Sequence, residues 1–108
     1  MGFLKVATED EIPQGEMKAV EAGGMEILII SYNDGYYAIN RRCTHKSGDL
    51  YEGKLEGKII KCPIHGAEFD VTTGKSISGP RIGMLKLKTK DIPVYKVKVE
   101  GNSIMVNV

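Results

Sequence analysis

An all-β fold is predicted for this chain of 108 residues, which is long enough for one domain with a real core but too short for two. Runs of β-branched and aromatic residues recur along the sequence, and glycine- or asparagine-rich turns close them. Only residues 8–14, TEDEIPQ, are typical of a helical turn, which Pro13 ends early. Closely spaced strands with so little helix indicate a sandwich or a barrel.

The predicted strands follow one another mainly as hairpins. After FLKVA and MKAVEAG comes GGMEILIISYNDGYYAIN, in which the turn at residues 33–35 separates two apolar runs. KLEGKIIK is a further hairpin, AEFDVTTGKSIS is also β-type, and PVYKVKVEGNSIMVNV turns at residues 100–103. The expected core residues are Met25, Ile27, Leu28, Ile29, Ile30, Val97, Val99, Ile104 and Val106.

The composition is that of an ordinary globular protein, with 42% hydrophobic and 27% charged residues and a net charge of +1. Interspersed charges of both signs argue against nucleic acid as a partner, because binding phosphates needs a concentrated basic face. The N-terminal segment lacks the pattern of a signal peptide, and the longest apolar run, MEILIISY, is only strand-sized. We therefore expect a soluble, cytoplasmic protein with no membrane partner.

Both cysteines and both histidines of the chain fall between residues 41 and 70, as a Cys43-x-His45 pair and a Cys62-x-x-His65 pair. The segments 41–54 and 62–81 are rich in turn-forming residues, so each pair is predicted to lie on a loop. A disulfide is disfavoured in a chain that shows no secretion signal. Grouping of this kind points to a metal site.

Structural zinc is the first alternative for that site, because zinc accepts two Cys and two His ligands. Zinc fingers, however, usually pair Cys with Cys and His with His, whereas here each loop supplies one of each. A single residue between Cys43 and His45 more naturally directs the two side chains at two different metal atoms. This spacing favours a binuclear cluster.

The full pattern, C-x-H, sixteen residues and then C-x-x-H within CPIHG, resembles that of Rieske proteins. The resemblance implies one [2Fe-2S] cluster, with Cys43 and Cys62 on one iron and His45 and His65 on the other. It also implies a Rieske-like antiparallel β-sandwich formed by residues 1–108, with a small two-loop cluster-binding subdomain at about residues 41–81. Gly79-Pro80 would then belong to a third loop that covers the cluster.

The residues around the second pair predict a low reduction potential for such a cluster. Two histidines in place of two thiolates raise the potential from about −400 mV to roughly −150 to +300 mV. High-potential Rieske proteins carry a disulfide and two hydroxyl donors at positions that correspond here to Gly48 or a neighbour, Ile64, Ala67 and Phe69. Without these hydroxyl donors the reduced state of the cluster is less stable. We therefore expect a reduction potential at the low end of the Rieske range.

The resemblance implies a soluble one-electron carrier, a Rieske-type ferredoxin between a ferredoxin reductase and an acceptor such as a ring-hydroxylating oxygenase. It is not expected to be an enzyme, because a catalytic non-haem iron needs two further histidines, and a small-molecule substrate is not expected. A small Rieske subunit of a larger reductase, such as nitrite reductase, and a zinc-stabilised binding module are the alternatives. An excess of basic residues suits an acidic redox partner; the basic residues are Arg41, Arg42, Lys46, Lys54, Lys58 and Lys61.

Overall fold

The computed structural model describes residues 2–44, 48–64, 66–78, 81–82, 85–86 and 89–108, with the backbone alone at 81–82 and 85–86. Four strands come first: β1 (Phe3–Thr8), β2 (Met17–Ala22), β3 (Met25–Tyr32) and β4 (Gly35–Asn40). Four short ones follow: β5 (Lys54–Glu56), β6 (Ile59–Lys61), β7 (Glu68–Asp70) and β8 (Ser76–Ser78). The others are β9 (Arg81–Ile82), β10 (Leu85–Lys86), β11 (Val94–Tyr95), β12 (Val97–Glu100) and β13 (Ser103–Asn107).

The strands form antiparallel sheets, so the predicted all-β class is confirmed. The central sheet has the order β11-β4-β3-β2, the outer sheet the order β1-β13-β12, and a small sheet the order β5-β6-β7-β8. β9 pairs with β10 as a separate ribbon. Three predicted hairpins are confirmed, at β3–β4, β5–β6 and β12–β13. Asn33 and Asp34 in the first of these turns have φ values of 51° and 63°, as a two-residue hairpin of this kind requires.

The central sheet is covered on both faces, which explains why β3 is a continuous apolar run. Alternate residues of a strand point to opposite faces. Ile27 and Ile29 pack in a cluster with residues of β1 and β13, whereas Leu28 and Ile30 pack in a second cluster with residues of the small sheet. All four side chains are fully buried. The small sheet is therefore held against the central sheet by the second cluster, which also contains both cysteines.

Three details of the sequence prediction are wrong. Met25 and Val99 are not core residues, because their side chains are 42% and 41% exposed. The predicted strand through Lys96 is two strands: β11 pairs with β4 of the central sheet, whereas β12 pairs with β13 of the outer sheet. The predicted loop segment 62–81 contains β7 and β8 and therefore shortens to residues 62–67.

The helical content of the described residues is limited to two single 3-10 turns, Glu9–Glu11 and Leu50–Glu52. The first lies where the TEDEIPQ segment predicts a helical turn. Its start is fixed by Glu11, whose Oε1 accepts from the backbone N–H of Thr8 at 2.8 Å. No helix in the described part of the chain is long and apolar enough to span a membrane.

Candidate metal centre

Cys43 begins a loop that one backbone hydrogen bond closes. The Cys43 N–H donates to the carbonyl oxygen of Gly48 at 2.8 Å. Just outside this bond, Arg42 and Asp49 form an isolated antiparallel bridge, and the Leu50 N–H donates to the carbonyl oxygen of Arg41 at 2.9 Å. The two ends of the segment 43–48, called here the first loop, are therefore paired as the two sides of a short hairpin.

Cys62 begins a loop that is closed in the same way. Its N–H donates to the carbonyl oxygen of Ala67 at 2.7 Å. Lys61 and Glu68, immediately outside, are the last residue pair between β6 and β7. Residues 62–67 are the second loop. In both loops a cysteine amide thus bonds to the carbonyl five residues later, although one sequence reads C-x-H and the other C-x-x-H.

The two loops meet at Gly48. A Cβ atom built on Gly48 would lie only 2.7 Å from Sγ of Cys62 and 3.1 Å from Cδ1 of Ile64. Cys43 and Cys62 are both buried in the same apolar cluster, with exposed fractions of 3% and 1%, and no disulfide joins them. The structure therefore brings the two predicted cysteine ligands onto adjoining loops, which approach so closely that only a glycine fits at position 48.

His45 and His65, the other two predicted ligands, lie outside the described residues. Each falls within one of the closed loops, between the cysteine and the carbonyl that accepts its amide. Within the described part of the chain no three Cys, His, Asp or Glu residues form a group that could hold a metal ion. Lys46 and the predicted covering residues Gly79 and Pro80 also lie outside the described residues.

The base of the first loop carries an ion pair that the sequence did not predict. Arg41 donates from Nε to Oδ1 of Asp49 at 2.9 Å and from Nη2 to Oδ2 at 2.8 Å. The Arg41 guanidinium holds the pKa of Asp49 below its usual value, although burial acts in the opposite direction. Eight residues separate the partners, so no local periodicity could have indicated the pair. It clamps the two ends of the hairpin that carries Cys43.

A second unpredicted contact ties the first loop to the chain near its C-terminal third. The Thr44 hydroxyl donates to the carbonyl oxygen of Lys90 at 2.8 Å and lies 3.0 Å from Oγ1 of Thr89. Thr44 stands between Cys43 and His45 in the sequence. Thr89 and Lys90, which follow the predicted third loop in the sequence, are thus hydrogen-bonded directly to the first loop.

The surroundings of both cysteines are apolar. Ala67 and Phe69, at the positions where a hydroxyl donor would raise the reduction potential, are completely buried. Side chains of the same cluster that are also fully buried include Leu50, Ile60 and Val71. A buried apolar cluster of this kind suits thiolates whose charge a bound cofactor compensates.

The predicted excess of basic residues is mostly neutralised by neighbouring carboxylates. Arg42 contacts Glu26 at 3.1 Å, Lys54 contacts Glu56 at 3.4 Å and Lys58 contacts Asp70 at 3.4 Å, in addition to the Arg41–Asp49 pair. Lys61 is exposed, and no ion pair of Lys61 occurs among the described residues. Among the described residues, fewer of the six basic side chains are therefore left without a neighbouring carboxylate than the sequence suggests.

Comparison with known proteins agrees with this arrangement. The family profile of the Rieske [2Fe-2S] domain matches residues 2–96. The chain belongs to this Rieske family. The Rieske fold that the sequence resemblance implied is therefore confirmed, and one [2Fe-2S] cluster is the cofactor. The two buried cysteines on adjoining loops fit that cofactor, and its presence leaves no role for structural zinc.

Among the relatives of this Rieske protein, the ferredoxin component of the naphthalene 1,2-dioxygenase and salicylate 5-hydroxylase systems of Ralstonia sp. is 37% identical over 103 residues. The match covers 95% of this chain and 92% of the relative. The ferredoxin component of the naphthalene 1,2-dioxygenase system of Pseudomonas aeruginosa is 35% identical, with 90% and 86% covered. These relatives are electron-carrier components, so this Rieske protein is an electron-transfer protein and not itself an enzyme.

Solved structures give the same result for the fold. The ferredoxin of carbazole 1,9a-dioxygenase from Nocardioides aromaticivorans IC177 superposes with a TM-score of 0.80 at 30% identity, covering 98% of this chain and 97% of that one. A chain in the complex of reduced oxygenase and oxidised ferredoxin of carbazole 1,9a-dioxygenase superposes with a TM-score of 0.79 at 30% identity, covering 96% and 91%. The Rieske protein thus matches ferredoxins over nearly their whole length.

Proposed function

We propose that this Rieske protein is a cytoplasmic ferredoxin that carries single electrons from a ferredoxin reductase to the oxygenase of a ring-hydroxylating dioxygenase system. The relatives reported above are named as ferredoxin components of such systems. The structural match to a ferredoxin of carbazole 1,9a-dioxygenase supports the same role. The same names favour this role over that of a small Rieske subunit of a nitrite reductase.

The proposed ligands are Cys43 and Cys62 on one iron and His45 and His65 on the other. The observation that carries this assignment is the matched closure of the two loops, Cys43 to Gly48 and Cys62 to Ala67, at adjoining positions. Each closed segment contains one cysteine and one histidine in its sequence. When bound, the cluster supplies reversible uptake of one electron. The described residues fix the cysteine ends of the loops and keep their surroundings dry.

We further propose a potential at the low end of the Rieske range. An added electron increases the negative charge of the centre, and apolar side chains beside the cysteines disfavour that charge. Ala67 and Phe69 are both buried and neither carries a hydroxyl group. The reduced state is therefore stabilised less than in a centre with Ser and Tyr at these positions.

The proposed organisation is one Rieske domain over residues 1–108, with the cluster-binding subdomain at about residues 41–81. The small sheet β5-β6-β7-β8 supports this division, because both cysteine loops adjoin it and it pairs with no strand of the central sheet. The second hydrophobic cluster joins the subdomain to β3 and β4. The subdomain therefore shares its core with the rest of the domain.

Metal analysis and paramagnetic resonance of the purified protein test the ligand assignment. We expect a red-brown protein with equal iron and acid-labile sulfide, and a reduced spectrum with a lower average g than that of a four-thiolate cluster. The variants Cys43→Ser, Cys62→Ser, His45→Ala and His65→Ala should each abolish or alter this spectrum. Ile77→Ala, a change of an exposed residue on β8 outside both loops, is the control. An unaltered spectrum in any of the four ligand variants would contradict the assignment.

A reconstituted electron-transfer assay tests the carrier role. A dioxygenase reductase should reduce the loaded protein, and the reduced protein should then support product formation by the oxygenase. Reduction without any transfer to the oxygenase would reject this acceptor while leaving the cluster assignment intact.

A further inference from the structure

Ile64 and Gly48 make a contact that joins the two loops over a cysteine. A Cβ on Gly48 would lie 3.1 Å from Cδ1 and 3.3 Å from Cγ1 of Ile64, and 2.7 Å from Sγ of Cys62. These distances leave no room for even a methyl group at position 48, since contacts below 3.0 Å require neighbouring atoms to move. The backbone of Gly48 therefore lies directly against the side chains of Cys62 and Ile64 in the second loop.

Ile64 and Cys62, both in the second loop, differ strongly in solvent exposure. Ile64 is 38% exposed, whereas Cys62, two residues earlier, is 1% exposed. Single exposed apolar side chains are common and need no functional explanation. Ile64 differs because its γ and δ carbons reach across to the first loop beside the Cys62 sulfur. It thus packs between the two loops on the side of the Cys62 sulfur that faces Gly48.

We infer that the Ile64–Gly48 contact is the closure of the cluster site between the loops: it holds the two loops together and covers the Cys62 sulfur on the side of the first loop. This inference rests on the proposed role of Cys62 as an iron ligand. Ile64 acts through Cys62 and is a positioning residue. No covalent link between the loops is present at the two cysteines, so the closure depends on packing of this kind.

Two consequences follow for the loaded protein. Opening the contact lets water and chelators reach the cluster, so the cluster should be lost faster. Water near the sulfur also stabilises the more negatively charged reduced state, so the reduction potential should rise. A residue that merely stabilised the fold would change the first property without systematically moving the second.

The test compares Ile64→Ala with Ile64→Val and with Ile77→Ala. Ile77 is the matched control, because it is an isoleucine that is 53% exposed on β8, outside both loops. We expect Ile64→Ala to lose its cluster to a chelator severalfold faster than the wild type and to have a higher midpoint potential. Ile64→Val should stay near the wild type in both measurements, and Ile77→Ala should match it.

A size-compensation experiment checks the contact itself. Gly48→Ala adds the methyl group that the distances exclude, and we expect an altered paramagnetic resonance spectrum of the reduced protein. In the double variant Gly48→Ala with Ile64→Ala, the crowding against Ile64 is removed while that against Sγ of Cys62 remains, so the spectrum should move back towards that of the wild type in part. If Gly48→Ala fails to fold, the Ile64 variants still decide the question.

Ile64→Ala and Ile77→Ala with the same chelation rate and the same potential would overturn the closure. Failure of the ligand assignment gives a different result, since the wild-type protein would then lack the spectrum of a mixed nitrogen and sulfur cluster. The two outcomes are therefore distinguishable in a single series of purified proteins.

Discussion

Arg41 and Asp49 face each other across the base of the first loop as a two-point ion pair, with both nitrogen–oxygen distances below 3 Å. The arginine guanidinium also lies 5.7 Å from the ring centroid of Tyr51, whose backbone N–H donates to Oδ1 of Asp49. Side-chain exposure is only 26% for Arg41 and 20% for Asp49. The pair is therefore partly shielded from water, and the loop that carries Cys43 depends on it.

Asp49→Asn should weaken this clamp by roughly 1–2 kcal/mol, since it removes the charge but keeps an oxygen for the Tyr51 amide. The expected result is cluster loss under chelation that is roughly 5- to 30-fold faster at neutral pH. Glu56→Gln breaks the Lys54–Glu56 pair, whose side chains are 75% and 72% exposed, and should change the rate little. Equal rates for the two variants would show that the clamp does not hold the loop.

The effect of Asp49→Asn should depend on pH in a defined direction. The folded pKa of Asp49 lies below its usual value because Arg41 bonds to the carboxylate. The stabilisation is therefore complete above the unfolded pKa of about 3.9 and is lost as the pH falls through the folded pKa. The difference in the free energy of unfolding between Asp49→Asn and the wild type, measured by chemical denaturation, should be constant near neutrality and approach zero in acid. A difference that grew with acidity would contradict this charge-based explanation.

Ala67→Ser should raise the reduction potential. A hydroxyl at this buried position restores a donor near the cysteine loop, and a hydrogen bond to a charged group is worth about 1.5 kcal/mol, or roughly 60 mV for one electron. Ala7→Ser is the control, because Ala7 is 4% exposed but lies in the other hydrophobic cluster. Protein-film voltammetry measures both potentials. A shift of the same size in Ala7→Ser would mean that the added hydroxyl acts through general destabilisation.

Gly74→Ala should destabilise the domain far more than Gly15→Ala, although both glycines have positive φ, 80° and 85°. A Cβ on Gly74 would lie 2.2 Å from the carbonyl oxygen of Ile92, whereas nothing lies within 4 Å of one on Gly15. The Ile92 N–H also donates to the Gly74 carbonyl oxygen at 2.7 Å. We expect a cost of about 1 kcal/mol for Gly15→Ala and more than about 3 kcal/mol for Gly74→Ala. Thermal unfolding followed by circular dichroism measures the difference, and equal losses would be inconsistent with the close approach.

Local patterns predicted much of this fold, whereas contacts between distant residues were not accessible from the sequence. The turn at Asn33 and Asp34 was predictable, because its residue types tolerate positive φ and both flanking runs are apolar. Val99 was misassigned because period-two alternation shows that a strand has two faces but not which face lies against another sheet. The division of this run into β11 and β12 at Lys96 could not be predicted for a related reason. It depends on the pairing of β11 with β4, a strand far away in the sequence.

The same distinction applies to the candidate metal centre. Spacing alone singled out Cys43 and Cys62, and Ile64 was singled out as a position without the cysteine of high-potential relatives. The contact of Ile64 with Gly48 needed the structure, because it depends on how two loops from different hairpins approach each other. The Arg41–Asp49 clamp likewise had no sequence signal, since a charged pair eight residues apart is usually unrelated.

Lys61→Glu should slow electron transfer to an acidic redox partner. Lys61 is exposed and lines a cleft of about 680 Å³ that also contains Cys62, Pro63 and Gly66, so its charge lies beside the second loop. Steering by such a charge raises the association rate and weakens as salt increases. Lys5→Glu, the same charge change at an exposed position of β1 in the outer sheet, is the control. We expect a severalfold lower second-order rate constant at low salt for Lys61→Glu, converging at high salt with the rate constant set by its measured reduction potential. Stopped-flow mixing of reduced protein with the acceptor measures this, and equal slowing by Lys5→Glu would show that net charge, rather than the position of Lys61, controls docking.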